Sequence, residues 1–299
     1  MNLSKARISE LMLLLVAVIW GTSYGVAKGA LVFYPVMGFL CVRFIMTFVL
    51  LLPFLRGHAK RALLPGALLG TLLLGIFLCE TYGVAQTSAS NAAFLISLCV
   101  VLTPLVEWVV FRRRPGGEAL AMAGLSLLGA FLLTGAGELQ MNRGDWLMLM
   151  AALLRALMVC ATKTLLQDSK IPALAITAVQ VGVVGFGSLL LLLLTAGSIP
   201  ELPHASAFWI ASVYLVLFCT LFAFFAQNFA LQFTSPTRAS LLMGMEPLFG
   251  AFFAVLWLNE QLSPLAWIGG CLIVVASLVG VRPRKQKHEE EKEKVAAPA

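Results

Sequence analysis

Residues 238–263 read RASLLMGMEPLFGAFFAVLWLNEQLS, a mostly apolar stretch that carries Glu246 next to Pro247. A carboxylate within a bilayer costs a few kcal/mol unless it faces protein or water, so we expect Glu246 to point inward. The proline leaves a carbonyl one turn back without its usual donor. Residues 91–114, NAAFLISLCVVLTPLVEWVVFRRR, repeat the plan around Thr103-Pro104. Two copies of one plan indicate an internal repeat.

The composition predicts a protein that crosses a membrane many times. Of the 299 residues 60% are apolar and only 12% are charged, and the mean hydropathy is +0.94. A soluble domain needs a more charged exterior. The net charge of +7 is better explained by basic cytoplasmic loops than by nucleic acid, because no basic stripe interleaves with exposed aromatic residues. The six cysteines form no CxxC pair and the three histidines lie outside the spans, so we expect no metal and no cofactor.

The apolar runs predict an all-α membrane protein with ten transmembrane helices. A helix that crosses about 30 Å of hydrocarbon needs about 20 residues. Ten such segments fit, at roughly 9–31, 36–55, 62–84, 91–111, 118–137, 145–165, 172–196, 206–230, 237–258 and 263–281.

The basic residues predict the orientation. With the N-terminus inside, most of the 21 lysines and arginines fall in cytoplasmic segments, as the positive-inside rule requires. Both termini are therefore expected in the cytoplasm, and the membrane is expected to be a bacterial inner membrane. Residues 282–299, RPRKQKHEEEKEKVAAPA, have little to bury and are predicted to form a disordered cytoplasmic tail.

The repeat divides the chain into residues 1–137 and residues 138–281, with five spans in each half. The matched positions are Trp20 and Lys28 with Arg155 and Lys163, Arg43 with Gln180, and Pro104 with Pro247. Because five is an odd number, the second half must be inverted relative to the first. Inverted repeats that rock about a site near the midplane are a common design of secondary transporters.

These features together resemble the EamA-type transporters of the drug/metabolite transporter superfamily. The resemblance rests on WGTSYGVAK at 20–28, on Arg43, on the proline-containing fourth and ninth spans, and on LNEQLSPLAWIGG at 258–270 with Glu260. It implies ten helices in an inverted five-plus-five arrangement and transport of a small molecule, often export. The chain departs from the family pattern in two places. Basic residues at 112–114 replace an acidic exit motif, and Arg155 replaces an aromatic residue.

Five charged residues within the spans are candidates for a transport site. These are Arg43, Glu80, Glu107, Arg155 and Glu246. Glu107 is expected to be neutralised by the arginines at 112–114. The other four either form static ion pairs or act as a switch in which substrate or proton replaces one partner.

Aromatic and neutral polar residues complete the candidate site. Trp20 and Tyr24 share a helix face and either line the path or pack. Lys28 either has a role in transport or extends to the membrane surface. Asn91, Gln180 and Asn228 offer hydrogen bonds to a polar solute.

The sequence therefore predicts a secondary transporter that exports a small metabolite, such as an amino acid or related zwitterion, by proton-coupled alternating access. Export of organic cations or drugs is the alternative. An intramembrane enzyme is disfavoured, because no nucleophile with a base and no metal set is present: GTSYG matches G-x-S-x-G but lies in a membrane helix with no histidine in any span. No nucleotide-binding fingerprint is present either. The expected partners are a small-molecule substrate, protons and the lipid bilayer, and the protein is expected to be a monomer or a homodimer.

Overall fold

The computed structural model describes residues 3–87, 89–112, 114–134, 141–167, 169–258 and 262–280. These residues form α-helices and no strand. A 3-10 turn at Leu52–Leu55 follows α2, and a π-helix at Leu215–Phe222 joins α9 to α10. The α-helices, in chain order, are Leu3–Leu31 (α1), Val36–Leu51 (α2), Ala59–Gln86 (α3), Ala89–Ser97 (α4), Cys99–Phe111 (α5), Gly117–Thr134 (α6), Arg143–Leu166 (α7), Ala173–Ala196 (α8), Ser206–Tyr214 (α9), Ala223–Ala230 (α10), Pro236–Met243 (α11), Glu246–Leu258 (α12) and Pro264–Gly280 (α13). The predicted tail at 282–299 and Glu260 lie outside the described residues.

Each of the ten predicted spans corresponds to helix. Among the described residues, eight helical stretches are long and apolar enough to cross a membrane. The ninth span consists of the shorter helices α11 and α12, and the tenth is α13, with 17 residues. Helix suits this setting because it satisfies its backbone hydrogen bonds within one segment, which a bilayer requires. The all-α membrane fold is therefore confirmed.

Each of the main contacts between spans has a counterpart between the equivalent spans of the other half. The second span packs on the seventh (α2 on α8) and the fifth on the tenth (α6 on α13). The third packs on the sixth (α3 on α7), and its counterpart is the first on the eighth (α1 on α10 and the π-helix). The fourth packs on the sixth (α5 on α7), and its counterpart is the ninth on the first (α12 on α1). This pattern is the one expected of two similar halves with five spans each.

Glycine allows two of these helix pairs to touch backbone to backbone. A Cβ atom on Gly21 would lie 2.7 Å from the nitrogen of Gly250, so α1 and α12 meet there. A Cβ atom on Gly129 would lie 2.6 Å from the carbonyl oxygen of Gly269, which joins α6 to α13 in the same way. Small residues commonly permit such approaches between membrane helices.

The fourth and ninth spans are in contact at the basic end of the bundle, which carries Arg61, Arg112, Arg114, Lys170 and Arg238. Glu107 on α5 accepts hydrogen bonds from the backbone nitrogen (3.1 Å) and the hydroxyl of Thr237, in the first turn of α11. Glu107 therefore caps the N-terminus of α11, and its neutralisation by the arginines at 112–114 stays a prediction, because Arg113 lies outside the described residues. A carboxylate is stabilised at a helix N-terminus by the unpaired backbone donors there. The fourth and ninth spans are therefore joined at this end.

The opposite end of the bundle is also tied. The Thr87 hydroxyl donates to the carboxylate of Asp145, which joins α3 to α7. Asp145 and Asn142 form a capping box at the start of α7. The Tyr34 hydroxyl donates to the Pro200 carbonyl at 3.0 Å and links the loops after α1 and α8.

Candidate functional site

The ninth span is interrupted just before Glu246. Helix α11 ends at Met243, and α12 begins at Glu246. A side chain on Gly244 would collide with Val100 of the fourth span, so the glycine permits close packing at the break. Pro247 is the second residue of α12, where a missing N–H donor has no cost. The break places the Glu246 carboxylate at a helix N-terminus, where the helix dipole favours negative charge.

The fourth span is also interrupted, although farther ahead of its proline. Helix α4 ends at Ser97 and α5 begins at Cys99, five residues before Pro104, which stays inside α5. The Thr103 hydroxyl donates to the Cys99 carbonyl at 2.6 Å. In the ninth span the break lies within the turn before the proline, where the sequence predicted a carbonyl without its usual donor, whereas in the fourth span it lies more than one turn before Pro104. Only the break in the ninth span carries a carboxylate.

Glu246 forms a buried ion pair with Arg155 of α7. Arg155 Nη2 donates to Glu246 Oε2 at 2.9 Å, and the two side chains are 9% and 6% exposed. The guanidinium carbon of Arg155 also lies 4.4 Å from the ring centroid of Trp20 on α1, a cation–π distance. Removing one partner of a buried ion pair leaves an uncompensated charge, so Glu246 and Arg155 depend on each other. Arg155 also connects this pair to Trp20.

Arg43 of α2 occupies a second polar position. Its Nε donates to the Thr220 hydroxyl at 2.7 Å, and its guanidinium lies 5.1 Å from the ring of Phe77 and 5.4 Å from that of Phe44. Glu80 on α3 lines the same cavity, so a carboxylate faces the same space as the guanidinium. Arg43 is therefore held by a hydroxyl and two rings, and it shares the cavity with a carboxylate.

The π-helix of the eighth span presents groups to both arginine positions. Thr220 accepts from Arg43 and donates to the Leu215 carbonyl at 2.8 Å. The carbonyl of Cys219 accepts from Trp20 Nε1 at 2.9 Å. Wide π turns are frequent at functional sites. The sequence analysis missed Thr220, although it is the one hydroxyl in the stretch LVLFCTLF.

These residues enclose a cavity of about 50 Å³. That volume holds a few water molecules, whereas ligand pockets usually measure several hundred Å³, so the site is contracted in this structure. The lining reaches Leu31 and Val84, near the last turns of α1 and α3, which places the cavity toward the end opposite the basic end. The full lining is Trp20, Ser23, Ala27, Leu31, Phe39, Arg43, Leu73, Ile76, Phe77, Glu80, Thr81, Val84, Arg155, Met158, Phe224 and Glu246.

Gln180 and Asn228 form a separate buried cluster, outside this lining. Asn228 Nδ2 donates to Gln180 Oε1 and to the Thr177 hydroxyl, the latter at 2.9 Å. In the described part of the chain, Gln180 Nε2, Asn228 Oδ1 and both amide atoms of the neighbouring Gln227 are buried without a hydrogen-bond partner. Unsatisfied amides are costly at membrane depth. Water or a ligand is expected to complete these bonds.

The structure brings together five of the ten candidate site residues. Trp20, Arg43, Glu80, Arg155 and Glu246 line the cavity. Gln180 and Asn228 lie in the amide cluster, and Lys28 is exposed in the last turn of α1, outside the lining. Tyr24 and Asn91 lie on α1 and α4, and their side chains are outside the described part.

Comparisons with known proteins agree with this architecture. The model of the EamA-like transporter family matches residues 7–135 and again residues 142–281. The Escherichia coli K12 protein named "Uncharacterized inner membrane transporter YedA" is 29% identical over 270 residues, which are 87% of this chain and 86% of that protein. A "Probable terminal-alkyne amino-acid exporter" from Streptantibioticus cattleyicolor is 27% identical over 192 residues, 64% of this chain and 63% of that protein.

A solved structure, described only as a crystal structure of a protein, shares the fold. It superposes with a TM-score of 0.76 at 17% identity and covers 97% of this chain and 99% of its own. The likeness extends over the described helices of both halves.

Proposed function

The chain belongs to the EamA-like transporter family, and from this premise we propose that it exports a small metabolite, an amino acid or related zwitterion, by proton-coupled alternating access. The family and the names of its relatives indicate a transporter rather than an enzyme. An amino-acid exporter among the relatives supports the class of substrate. We further propose that the halves 1–137 and 138–281 are the moving units.

The observation that carries the proposal is the mixed charge of the cavity. Arg43 and Arg155 face the same space as Glu80 and Glu246. A zwitterion carries one carboxylate and one ammonium group, and each could replace one partner of an existing pair. Exchange of one ion pair for another keeps every buried charge compensated, which a desolvated site requires.

The alternative substrate, an organic cation, fits part of the site. Trp20, Phe77 and Phe224 line the cavity, and aromatic rings bind cations. Two of these rings already face arginine, however, since Arg155 lies over Trp20 and Arg43 over Phe77. An organic cation has no carboxylate to pair with these arginines and would meet both of their positive charges. The zwitterion is therefore the better match.

Coupling to protons follows from competition for Glu246. A carboxylate can hold the ammonium of a substrate, a proton or Arg155. In the proposed cycle the ion pair of this structure is the resting arrangement. Substrate displaces Arg155 when the site faces the cytoplasm, and a proton displaces substrate when the site faces outward. Because the two ligands exclude each other, proton entry drives substrate export.

The amide cluster is proposed to serve the opposite half of the cycle. Gln180 lies seven residues after the start of α8 at Ala173, just as Arg43 lies seven residues after the start of α2 at Val36. In an inverted repeat these positions lie on opposite sides of the midplane. Rocking of the two halves would close the charged cavity and hydrate the unpartnered amides, so the path from the cytoplasm would be lined by neutral groups.

We propose an inner-membrane location with both termini in the cytoplasm, so that the basic end faces inward. In a background without the six cysteines, cysteine at Glu201 is expected to react with a membrane-impermeant thiol reagent on intact cells. Cysteine at Arg56 should react only after permeabilisation, because it follows α2 at the basic end. Labelling of Arg56→Cys, but not of Glu201→Cys, on intact cells would contradict the orientation.

The proposed function is tested in a bacterial host that lacks its own exporters. Cells with and without the gene are challenged with toxic amino-acid analogues, dipeptides and organic cations. Resistance to zwitterionic solutes, lost in the Glu80→Gln variant at equal membrane expression, is the expected result. Resistance to cations alone would replace the zwitterion with the cation alternative, and resistance to none of the panel would refute export of these classes.

A further inference from the structure

A second cavity lies on the outer surface of the bundle, apart from the charged site. It measures about 390 Å³ and is almost wholly apolar. The stripe Leu157, Ala161 and Thr164 of α7 forms its floor, because positions three and four residues apart share one helix face. Helices α3 and α5 pack on either side of α7 and form the walls, which include Leu68 and Val110. The small side chain of Ala161 leaves the depth of the groove open.

The groove opens toward the membrane. Leu68 is 53% exposed and Val110 is 46% exposed, although both border the cavity. The lining extends from Leu157 to Leu165, eight residues of α7 or about 12 Å along the helix axis. An unfilled space of this size would forfeit dispersion contacts along its walls. A narrow, apolar, elongated groove at this depth fits an acyl chain.

Positive charge lies at the end of the groove. Arg61 precedes Leu68 by seven residues, so it sits on the same face of α3, about 10 Å nearer the basic end. Arg112 follows Val110 by two residues, at the end of α5. Both arginines are exposed. Glu107, the acidic residue of α5, is directed to Thr237 of α11.

We propose that this groove binds one anionic phospholipid, with an acyl chain along α7 and the phosphate between Arg61 and Arg112. Clusters of basic residues at the ends of membrane helices attract anionic headgroups. A zwitterionic lipid would bring an ammonium group to the same arginines, which disfavours it. The proposal holds whichever solute the protein transports, since none of the groove residues lines the charged cavity.

The test measures retention of phosphatidylglycerol and phosphatidylethanolamine by the purified full-length chain, using native mass spectrometry across a lipid titration. One phosphatidylglycerol is expected to remain bound in preference to phosphatidylethanolamine. Each arginine contributes about fivefold in affinity, so the Arg61→Gln/Arg112→Gln variant should bind about 25-fold more weakly. Arg143→Gln, an exposed arginine at the opposite end, is the matched control and should bind as the unmodified chain does.

Filling the groove provides an independent readout. Ala161→Phe, or Ala161→Leu if the larger residue reduces yield, should lower retention of phosphatidylglycerol with both arginines in place. Equal retention of the two lipids, or equal retention by all variants, would show ordinary annular lipid and overturn the proposal. Loss in the arginine variant with full retention by the Ala161 variants would overturn the placement of the acyl chain.

Discussion

Glu246→Gln is expected to abolish transport driven by a pH gradient while exchange of substrate across the membrane continues. Glutamine preserves the shape of the side chain and can still accept a hydrogen bond from Arg155, which lies 2.9 Å from the carboxylate. It cannot take up a proton, so proton and substrate no longer compete at this position. Extrusion with and without the gradient should therefore become equal.

The measurement is made in proteoliposomes with the most strongly exported solute of the resistance panel. Counterflow reports exchange, and efflux into acidic medium reports the response to the gradient. Glu118→Gln, an exposed glutamate in the first turn of α6, is the matched control and should respond as the unmodified chain does. Full gradient-driven efflux by Glu246→Gln would assign the proton elsewhere, with Glu80 as the next candidate.

Arg155→Met is expected to lower the stability of the protein strongly, and adding Glu246→Gln should restore part of it. Arg155→Met removes the positive partner and leaves Glu246 buried without a counterion, which typically costs about 3–5 kcal/mol. Adding Glu246→Gln removes the orphaned charge, so Arg155→Met/Glu246→Gln should melt at a higher temperature than Arg155→Met alone. Transport should be absent from both variants.

Thermal unfolding in detergent gives the comparison, with Arg143→Met as the control for loss of an exposed arginine. The decisive result is whether adding Glu246→Gln raises or lowers the melting temperature of Arg155→Met. If the two sites were independent, the double variant would be the least stable. A double variant that melts below Arg155→Met would show that Glu246 is stabilised by groups other than Arg155.

The sequence predicts the spans well because the bilayer imposes their length and polarity. Helix α3, for example, was predicted at 62–84 and is observed at Ala59–Gln86. The inverted repeat followed from an odd number of spans per half. Glu246 could be assigned to the interior on energetic grounds alone, since a lipid-facing carboxylate is costly.

Other features depend on how the helices cross, which the sequence does not state. Arg155 with Trp20, and Arg43 with Thr220, are contacts between distant spans. Gly21, Gly25 and Gly29 recur every four residues on α1, yet among the described residues only Gly21 meets a neighbour, and a Cβ atom on the other two would meet none of them within 4 Å. Proline marked both interrupted spans, but only in the ninth does the break lie within one turn of the proline, and the break at Leu98 in the fourth was not predicted.

The π-helix of the eighth span changes the side of the helix on which the residues after it lie. Among the buried positions of this span, one set recurs every fourth residue, at Phe208, Ser212, Val216, Thr220, Phe224 and Asn228. A regular α-helix turns about 100° per residue, so over these 20 positions the stripe would drift by about 200° and end on the opposite side. One extra residue, carried in the wider turn at Leu215–Phe222, offsets about 100°, or half of that drift. The extra residue thus keeps this set nearer to one side of the span, where one helix presents Thr220 to Arg43 and Asn228 to Gln180.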